Sequence, residues 1–521
     1  MKYFLSFAFS ICNTLLWSQF ELLNQWGYGG NQQEFPKKST ASEILMESNS
    51  NISGNKTIAN FGAKDAWLVA LDNNYESIGQ FVFGSVADDS PVEIISLNNR
   101  KYLLMDSNSD IGGNKSMNNY GSGMDKFDFW LLKLDNNYQI IDQWNFGTSL
   151  NEAALGLVSF QNNLILYGAS QGLANNDKSE DGRGLFDAWI ICIDTNGNKL
   201  WDKTFGGADN DILKDVEILN DGMILVCQSN SNAGFDKSEN SQGFTDIWIV
   251  KIDFNGNIIW DKTYGTVGID SYYGVLVQNN SLFITGTSIN SGSNNNMNTQ
   301  FEYNNDAFIL KINLNDGSLV HSNSYGGSNV DVIKYLFPIA GSHFLFVGSS
   351  SSNDGDITGT SYGMADVWVG ILDSSLNIVD QVLMGSDQVD YVWHSILEQN
   401  HLLVYATSNG GLSGIKTVPN YGQDDLWMLK IGDVLSNEEE KLSIGFKIFP
   451  NPTADYFYID LNQMDANEIR VFDMNGKLTY SKSGKISGLI DVDLSKEKPG
   501  IYVIRVSMGN GVWVSKKITK R

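Results

Sequence analysis

Seven times in 521 residues the chain opens an apolar strand with Asp, any residue and an aromatic: at Asp65, Asp128, Asp187, Asp246, Asp306, Asp366 and Asp425. The third residue is Trp in six copies and Phe308 in the fifth, and the copies lie 63, 59, 59, 60, 60 and 59 residues apart. One copy reads DIWIVKIDFNGNIIWDKTYG over 246–265. Trp248, Val250 and Ile252 take one face of the first strand and Ile249 the other, so the strand is covered on both sides. Asn255-Gly256 supplies the positive φ of a tight hairpin. The first six copies run into a second strand that ends in an aromatic or Met followed by Gly: Phe83-Gly84, Phe146-Gly147, Phe205-Gly206, Tyr264-Gly265, Tyr325-Gly326 and Met384-Gly385. The seventh, DLWMLKIGD, stops short, and its missing strand stands at the other end of the chain in FELLNQWGYGG, residues 20–30. A ring of radially arranged four-stranded sheets accounts for that displacement, because its ends meet in one sheet; a solenoid would need two polar caps and gives no reason for it. The expected fold class is all-β: a seven-bladed β-propeller closed by the N-terminal strand, followed by a small C-terminal β-sandwich. With strands named A to D from the axis outward, the chain enters on D of the last blade, runs A to D through six blades and finishes with A, B and C.

The second strand of each blade is visible as LILYGAS, GMILVCQSN, LFITGTS and FLFVGSS. The turns before it are tight, whereas the B-to-C connections are long, polar and unequal, as in SNSNAGFDKSENSQGFT. Six positions beyond the residue that closes strand D, every copy carries a carboxylate: Glu34, Asp89, Glu152, Asp211, Asp270, Asp331 and Asp390. This acidic ring has two readings. It is a cation site or negative funnel at the axis, or each carboxylate accepts backbone N–H bonds from the Gly-rich turn before it and locks successive blades, as a feature repeated in every blade favours. The Asp of each Asp-x-Trp reads as a turn bond and the Trp as packing between blades. The B-to-C loops hold the aromatics Phe61, Tyr120, Phe186, Phe244, Tyr303, Tyr362 and Tyr421 beside many Asn, Ser and Gly residues. These are the binding candidates, able to stack on sugar rings or anchor a protein, unless they only pin their own loops.

Residues 1–18, MKYFLSFAFSICNTLLWS, read as a secretory signal peptide that takes Cys12 with it, and no later apolar run is long enough for a membrane helix. Cys192 and Cys227 remain, without CxxC spacing, and two buried thiols are expected. A net charge of -25 argues against a nucleic-acid partner. The four histidines show no HExxH spacing, and neither a GxSxG elbow nor a phosphate-cradling GxxxxGK[ST] occurs, so no catalytic residue or metal ligand is named and no enzyme activity is expected. Asn-rich loops offer oxygens to calcium, but no Asp-x-Asp-x-Asp-Gly run is present; no cofactor is expected.

After the linker at 434–445 the chain changes character. Residues 446–521 carry 12 Lys+Arg against 8 Asp+Glu and fall into short strands. Pro450-Asn451-Pro452, the VFDMNGK hairpin with Gly476, LSKEKPGIYVIRV with Pro499-Gly500, and the basic end KKITKR with Lys516 and Lys517 resemble the type A C-terminal sorting domain of the Bacteroidetes type IX secretion system. The resemblance implies an Ig-like tail read by an outer-membrane translocon, with release or surface attachment of the cargo. The propeller of residues 19–433 is similar to repeats found in other proteins with this tail, which implies no established activity. The expectation is a secreted or surface-attached monomer whose propeller binds a glycan or a protein through its B-to-C loops. An extracellular polysaccharide-acting hydrolase with a carboxylate pair at the channel mouth is the alternative, and a structural surface component the second.

Overall fold

The computed structural model describes residues 20–121, 126–289, 296–297, 305–398, 401–432, 447–449, 453–473, 477–508 and 513–521. The chain divides into two compact units, Met1–Leu435 and Ser436–Arg521. The leader, Cys12, the linker, Tyr303, Pro450, Asn451, Pro452 and Gly476 lie outside the described residues.

Among the described residues the first unit holds seven four-stranded antiparallel sheets, an all-β arrangement consistent with a propeller. The third sheet is typical: Glu152–Phe160, Asn163–Ser170, Asp187–Asp194 and Lys199–Phe205 lie in chain order, A to D. One sheet differs. It orders Asp390–Glu398, His401–Ser408 and Asp425–Gly432 as A, B and C, and its outer strand is Glu21–Tyr28, with Glu21 opposite Gly432 and Tyr28 opposite Leu426. Apolar residues between successive sheets form shared clusters. Ile165, Tyr167 and Ile190 of the third meet Leu213, Leu225 and Trp248 of the fourth. Trp26, Tyr28 and Tyr405 of the last meet Ile44, Met46 and Trp67 of the first. Strand C is buried on both faces, as its near-continuous hydrophobic sequence requires.

The C-to-D turns differ from the expectation that Asn255 and Gly256 together supply the positive φ. In DFNGN only Gly256 is left-handed, with φ 82°. Asp253 Oδ1 anchors the turn by accepting the N–H groups of Asn255 at 2.8 Å and Asn257 at 2.9 Å, so a side chain closes a loop longer than two residues. Asp72, Asp135, Asp194 and Asp373 do the same elsewhere.

The second unit is one connected five-stranded sheet: Lys447–Phe449, Tyr456–Asp473, Leu478–Asp493, Gly500–Met508 and Trp513–Lys520. The long hairpin of Tyr456–Asp473 and Leu478–Asp493 shifts register between Asp460 and Asp465, so one pair of strands serves both ends of a core that includes Phe457, Ile469, Ile490, Tyr502 and Ile518. Pro499 and Gly500 are exposed at the start of the fourth strand, and Lys516 and Lys517 lie on the fifth.

Candidate binding face and axial site

Every carboxylate of the acidic register is buried, at or one residue inside the start of strand A. Each accepts the backbone N–H four residues before it: Gly30 to Glu34 at 2.9 Å, Ser85 to Asp89 at 2.5 Å, Thr148 to Glu152 at 2.8 Å, Gly207 to Asp211 at 2.6 Å, Thr266 to Asp270 at 2.7 Å, Gly327 to Asp331 at 2.8 Å and Ser386 to Asp390 at 2.5 Å. A serine hydroxyl from the end of strand B meets the same carboxylate, as Ser48 does Glu34 at 3.0 Å and Ser170 does Glu152 at 2.8 Å.

The sequence reading missed the partner of this register. Lys56, Lys115, Lys178, Lys237 and Lys416 stand in five B-to-C loops, with Met297 and Ile357 in the other two, at intervals of 59, 63, 59, 60, 60 and 59 residues. All seven side chains are buried. The Lys56 ammonium donates to Ser48 Oγ at 2.8 Å and Ser50 O at 2.7 Å, and Lys416 repeats this with Ser408 Oγ and Gly410 O, both at 2.8 Å. Each lysine therefore lies between the strand A carboxylate and the Asp of Asp-x-Trp. Burial pushes Lys56 and Lys115 down to about 8 and lowers Lys178, Lys237 and Lys416, with the neighbouring carboxylates opposing it. It also pushes Asp65 up to about 6, and Asp128 and Asp425 up to about 7.

The Asp of Asp-x-Trp explains the glycine that ends strand D. A Cβ on Gly29, Gly84, Gly147, Gly206, Gly265, Gly326 or Gly385 would overlap the carboxylate of Asp425, Asp65, Asp128, Asp187, Asp246, Asp306 or Asp366 respectively. The same glycine is clamped by the next sheet. Gly84 N–H donates to Asn114 Oδ1 at 3.2 Å while Asn114 N–H returns to Gly84 O at 2.8 Å, and the pair recurs as Gly29 with Asn55, Gly147 with Asp177, Gly206 with Asp236, Gly265 with Asn296 and Gly326 with Asp356.

The loop aromatics fall into two groups. Phe61, Tyr120 and Tyr362 donate their backbone N–H to Asp65, Asp128 and Asp366 at 2.5, 2.8 and 2.9 Å, and Tyr421 donates to Asp425. Their rings are braced on the next sheet: Phe61 lies by Gly113, Tyr362 by Gly414 and Tyr421 by Gly54, while Tyr120 bonds Asp177. They remain 48%, 46%, 36% and 38% exposed for Phe61, Tyr120, Tyr362 and Tyr421. In the third and fourth sheets the N–H position is held by Arg183 and Gln242, since the bond needs no particular side chain. Phe186 is half-buried one residue before Asp187, and Phe244 is exposed two before Asp246, so these two are not equivalent to the other four.

A second constellation gathers at the axis. Strand A of sheets two to seven carries a bulge three residues after the carboxylate, at Val92, Leu155, Lys214, Tyr273, Lys334 and Trp393. One residue on, Lys38 of the first sheet meets Glu93 of the second at 3.5 Å and Asp215 of the fourth at 3.8 Å. Contact between sheets one and four places this layer across the centre. Tyr167, from strand B of the third sheet, reaches the layer through the space left by Gly156 and donates to Asp215 at 3.0 Å; Tyr272 donates to the other oxygen at 2.8 Å. The Tyr335 hydroxyl meets His394 Nδ1 at 3.1 Å, and His394 Nε2 meets Ser39 O at 3.0 Å. Burial drives His394 down to about 4, so the ring is neutral and its Nε2–H is the donor to Ser39. Burial alone would lower Lys38, but Asp215, Tyr167 and Glu93 outweigh it and hold the ammonium charged. A column of unlike residues at a fixed four-residue offset from the carboxylates was the sequence signal for this layer.

Taken with its loops, the first unit is a repeated all-β arrangement with a polar cluster shared by the A strands of several sheets. The chain's particular identity is carried by its tail: residues 447–521 match the family described as the secretion system C-terminal sorting domain, so the chain is a cargo of type IX secretion, secreted or attached at the outer surface. No helix among the described residues is long and apolar enough to cross a membrane. The chain is similar to the ulvan lyase NLR42 of Nonlabens ulvanivorans, 24% identical over 216 residues, which is 37% of this chain and 40% of that protein. It thus spans about two-fifths of that relative's length. Among solved structures it is similar to Kuenenia stuttgartiensis hydrazine synthase (13% identity, 67% of this chain and 78% of that chain, TM-score 0.34). It is also similar to the subtype N10 neuraminidase-like protein of a little yellow-shouldered bat isolate from Guatemala (8% identity, 63% and 95%, TM-score 0.34).

Proposed function

We propose that residues 19–433 form a seven-bladed propeller, its last blade completed by the N-terminal strand, and that it is a glycan-binding module delivered by its sorting tail. The observation that carries this reading is the set of four half-exposed rings, Phe61, Tyr120, Tyr362 and Tyr421, each fixed by a backbone bond and braced on the neighbouring loop. Prepositioned aromatic faces bind without the entropic cost of ordering them. The test is a glycan array probed with the full chain, with calcium and with a chelator, comparing wild type with Tyr362→Ala/Tyr421→Ala. The double variant should melt as wild type does and bind at least tenfold more weakly, about 1.4 kcal/mol; unchanged affinity overturns the assignment, and loss on chelation would make the acidic ring functional.

A polysaccharide-acting enzyme is the second reading. It is supported by the Lys38, Glu93 and Asp215 cluster, with Tyr167 and Tyr272 bonded to it, and by the likeness to an ulvan lyase. Release of oligosaccharide from a bound polymer, lost in Asp215→Asn, would establish it.

A further inference from the structure

One buried lysine near the axis, Lys334, lacks the charged and hydrogen-bonded partners of Lys38, Lys251 and the loop lysines. Lys38 has Glu93 and Asp215, Lys251 has Asp221 at 2.9 Å, and the loop lysines have serine hydroxyls and carbonyls. Lys334 occupies the bulge position of the sixth sheet, and its ammonium has no carboxylate or hydrogen-bond acceptor among the described residues. Burial depresses Lys334 to about 7, and no neighbouring charge counters it.

What surrounds Lys334 is aromatic. Its ammonium lies 4.5 Å from the Tyr391 ring centre, 4.8 Å from Trp393 and 5.4 Å from Tyr273. These rings come from the fifth and seventh sheets, and the Tyr391 hydroxyl bonds Tyr273, closing a frame around the lysine. Lys334 itself is 7% exposed, but Trp393 is 37% exposed, with Phe35 against it at 5.6 Å between centroids. The bulge lies between the strand A carboxylates and the Lys38 layer, and Trp393 is the exposed edge of the frame.

A buried cation is stabilised by aromatic faces, but one without counter-charge in a low-dielectric site leaves a deficit that a bound anion would fill. A concave site with aromatic walls and a few convergent charges is a small-ligand site. We propose that the mouth framed by Tyr273, Lys334, Tyr391 and Trp393 is a subsite for an acidic sugar residue, its carboxylate or sulfate meeting the Lys334 ammonium and its ring face lying on Trp393. This rests on the glycan-binding reading and names the class of glycan.

Calorimetry with the full chain tests it, using as probes a polyuronate oligosaccharide, a sulfated oligosaccharide and a neutral oligosaccharide of similar length. Wild type should bind one or both acidic probes at least tenfold more tightly than the neutral one, and more weakly as salt rises; which acidic probe wins identifies the anionic group. Lys334→Met, close in volume, should lose that tenfold preference with its melting temperature kept, Lys334→Arg should retain it, and Trp393→Ala should weaken every probe. Equal affinity for neutral and acidic probes, or an acidic preference that survives Lys334→Met, overturns the subsite and leaves the glycan reading standing. No affinity for any probe in wild type overturns both.

Discussion

At the scale of single residues, the buried lysine in five loops is the feature most open to experiment. Its cost is desolvation, offset by hydroxyl and carbonyl acceptors and by two carboxylates, and the fifth and sixth sheets dispense with it by placing Met297 and Ile357 there. Lys115→Met should therefore fold, with a loss of about 1–3 kcal/mol near pH 8, where Asp89 and Asp128 are left charged and unpaired. The loss should shrink near pH 5, because burial already raises both carboxyls toward protonation. Chemical denaturation at the two pH values measures both numbers. The strand D glycine gives a second expectation. Gly84→Ala would drive a Cβ into the Asp65 carboxylate and should cost about 1–3 kcal/mol, whereas Ala at exposed Gly411, with nothing near its Cβ, should be close to neutral.

At the scale of elements, the sequence pattern was informative where a residue repeats in every copy and silent where it does not. The Asp-x-Trp strands, the D-strand ends and the carboxylate register were legible because each copy needs the same bond. The hairpins differ in detail: the Asn-Gly pair was expected to supply the positive φ, but only its Gly does, the Asp before it closes the loop, and Tyr75, Tyr138 and Leu376 hold the left-handed position without glycine. The lysine column was hidden inside loops of unequal length, against the expectation that loop lysines are exposed. The axial layer was hidden for the opposite reason. It differs in every sheet, and two of its places are glycines: Gly156 leaves room for Tyr167 from strand B, and Gly274 for the Lys334 carbonyl of the sixth sheet, which no strand A pattern reveals.

For the whole molecule, the buried carboxyls set an unusual pH response. Asp65 and Asp270 stand at about 6, Asp128, Asp425 and Glu217 at about 7, and Asp106 at about 8, all raised chiefly by burial. A carboxyl raised in the folded state contributes stability that is complete below its unfolded value near 4 and is lost as pH rises through the folded value. Between about pH 5 and 8 ordinary carboxylates are ionised in both states, so these six set the slope. His394, at about 4, and Lys334, at about 7, oppose it, since both are depressed and lose stability as pH falls. The melting temperature should therefore fall as pH rises from 5 to 8, and a flat or rising profile would contradict the burial described. The shared last sheet makes a separate prediction: deleting residues 20–28 uncovers the Asp425–Gly432 edge, and the shortened chain should aggregate or lose its single sharp melting transition.

That same shared sheet decides how the molecule answers to mechanical load. Glu21 lies opposite Gly432 in an antiparallel pair, so the first strand enters beside the point where the chain departs toward its tail. Tension between the amino terminus and the tail would unzip this pair one rung at a time, which takes little force. Tension entering through the loop before Asp425 and leaving at Gly432 instead runs along the strand Asp425–Gly432, held on both sides by Glu21–Tyr28 and His401–Ser408, and must break its hydrogen bonds together in shear. A cargo tethered by its tail and gripped at its loops would be loaded in its strong direction, and yet could be opened gently from its free end.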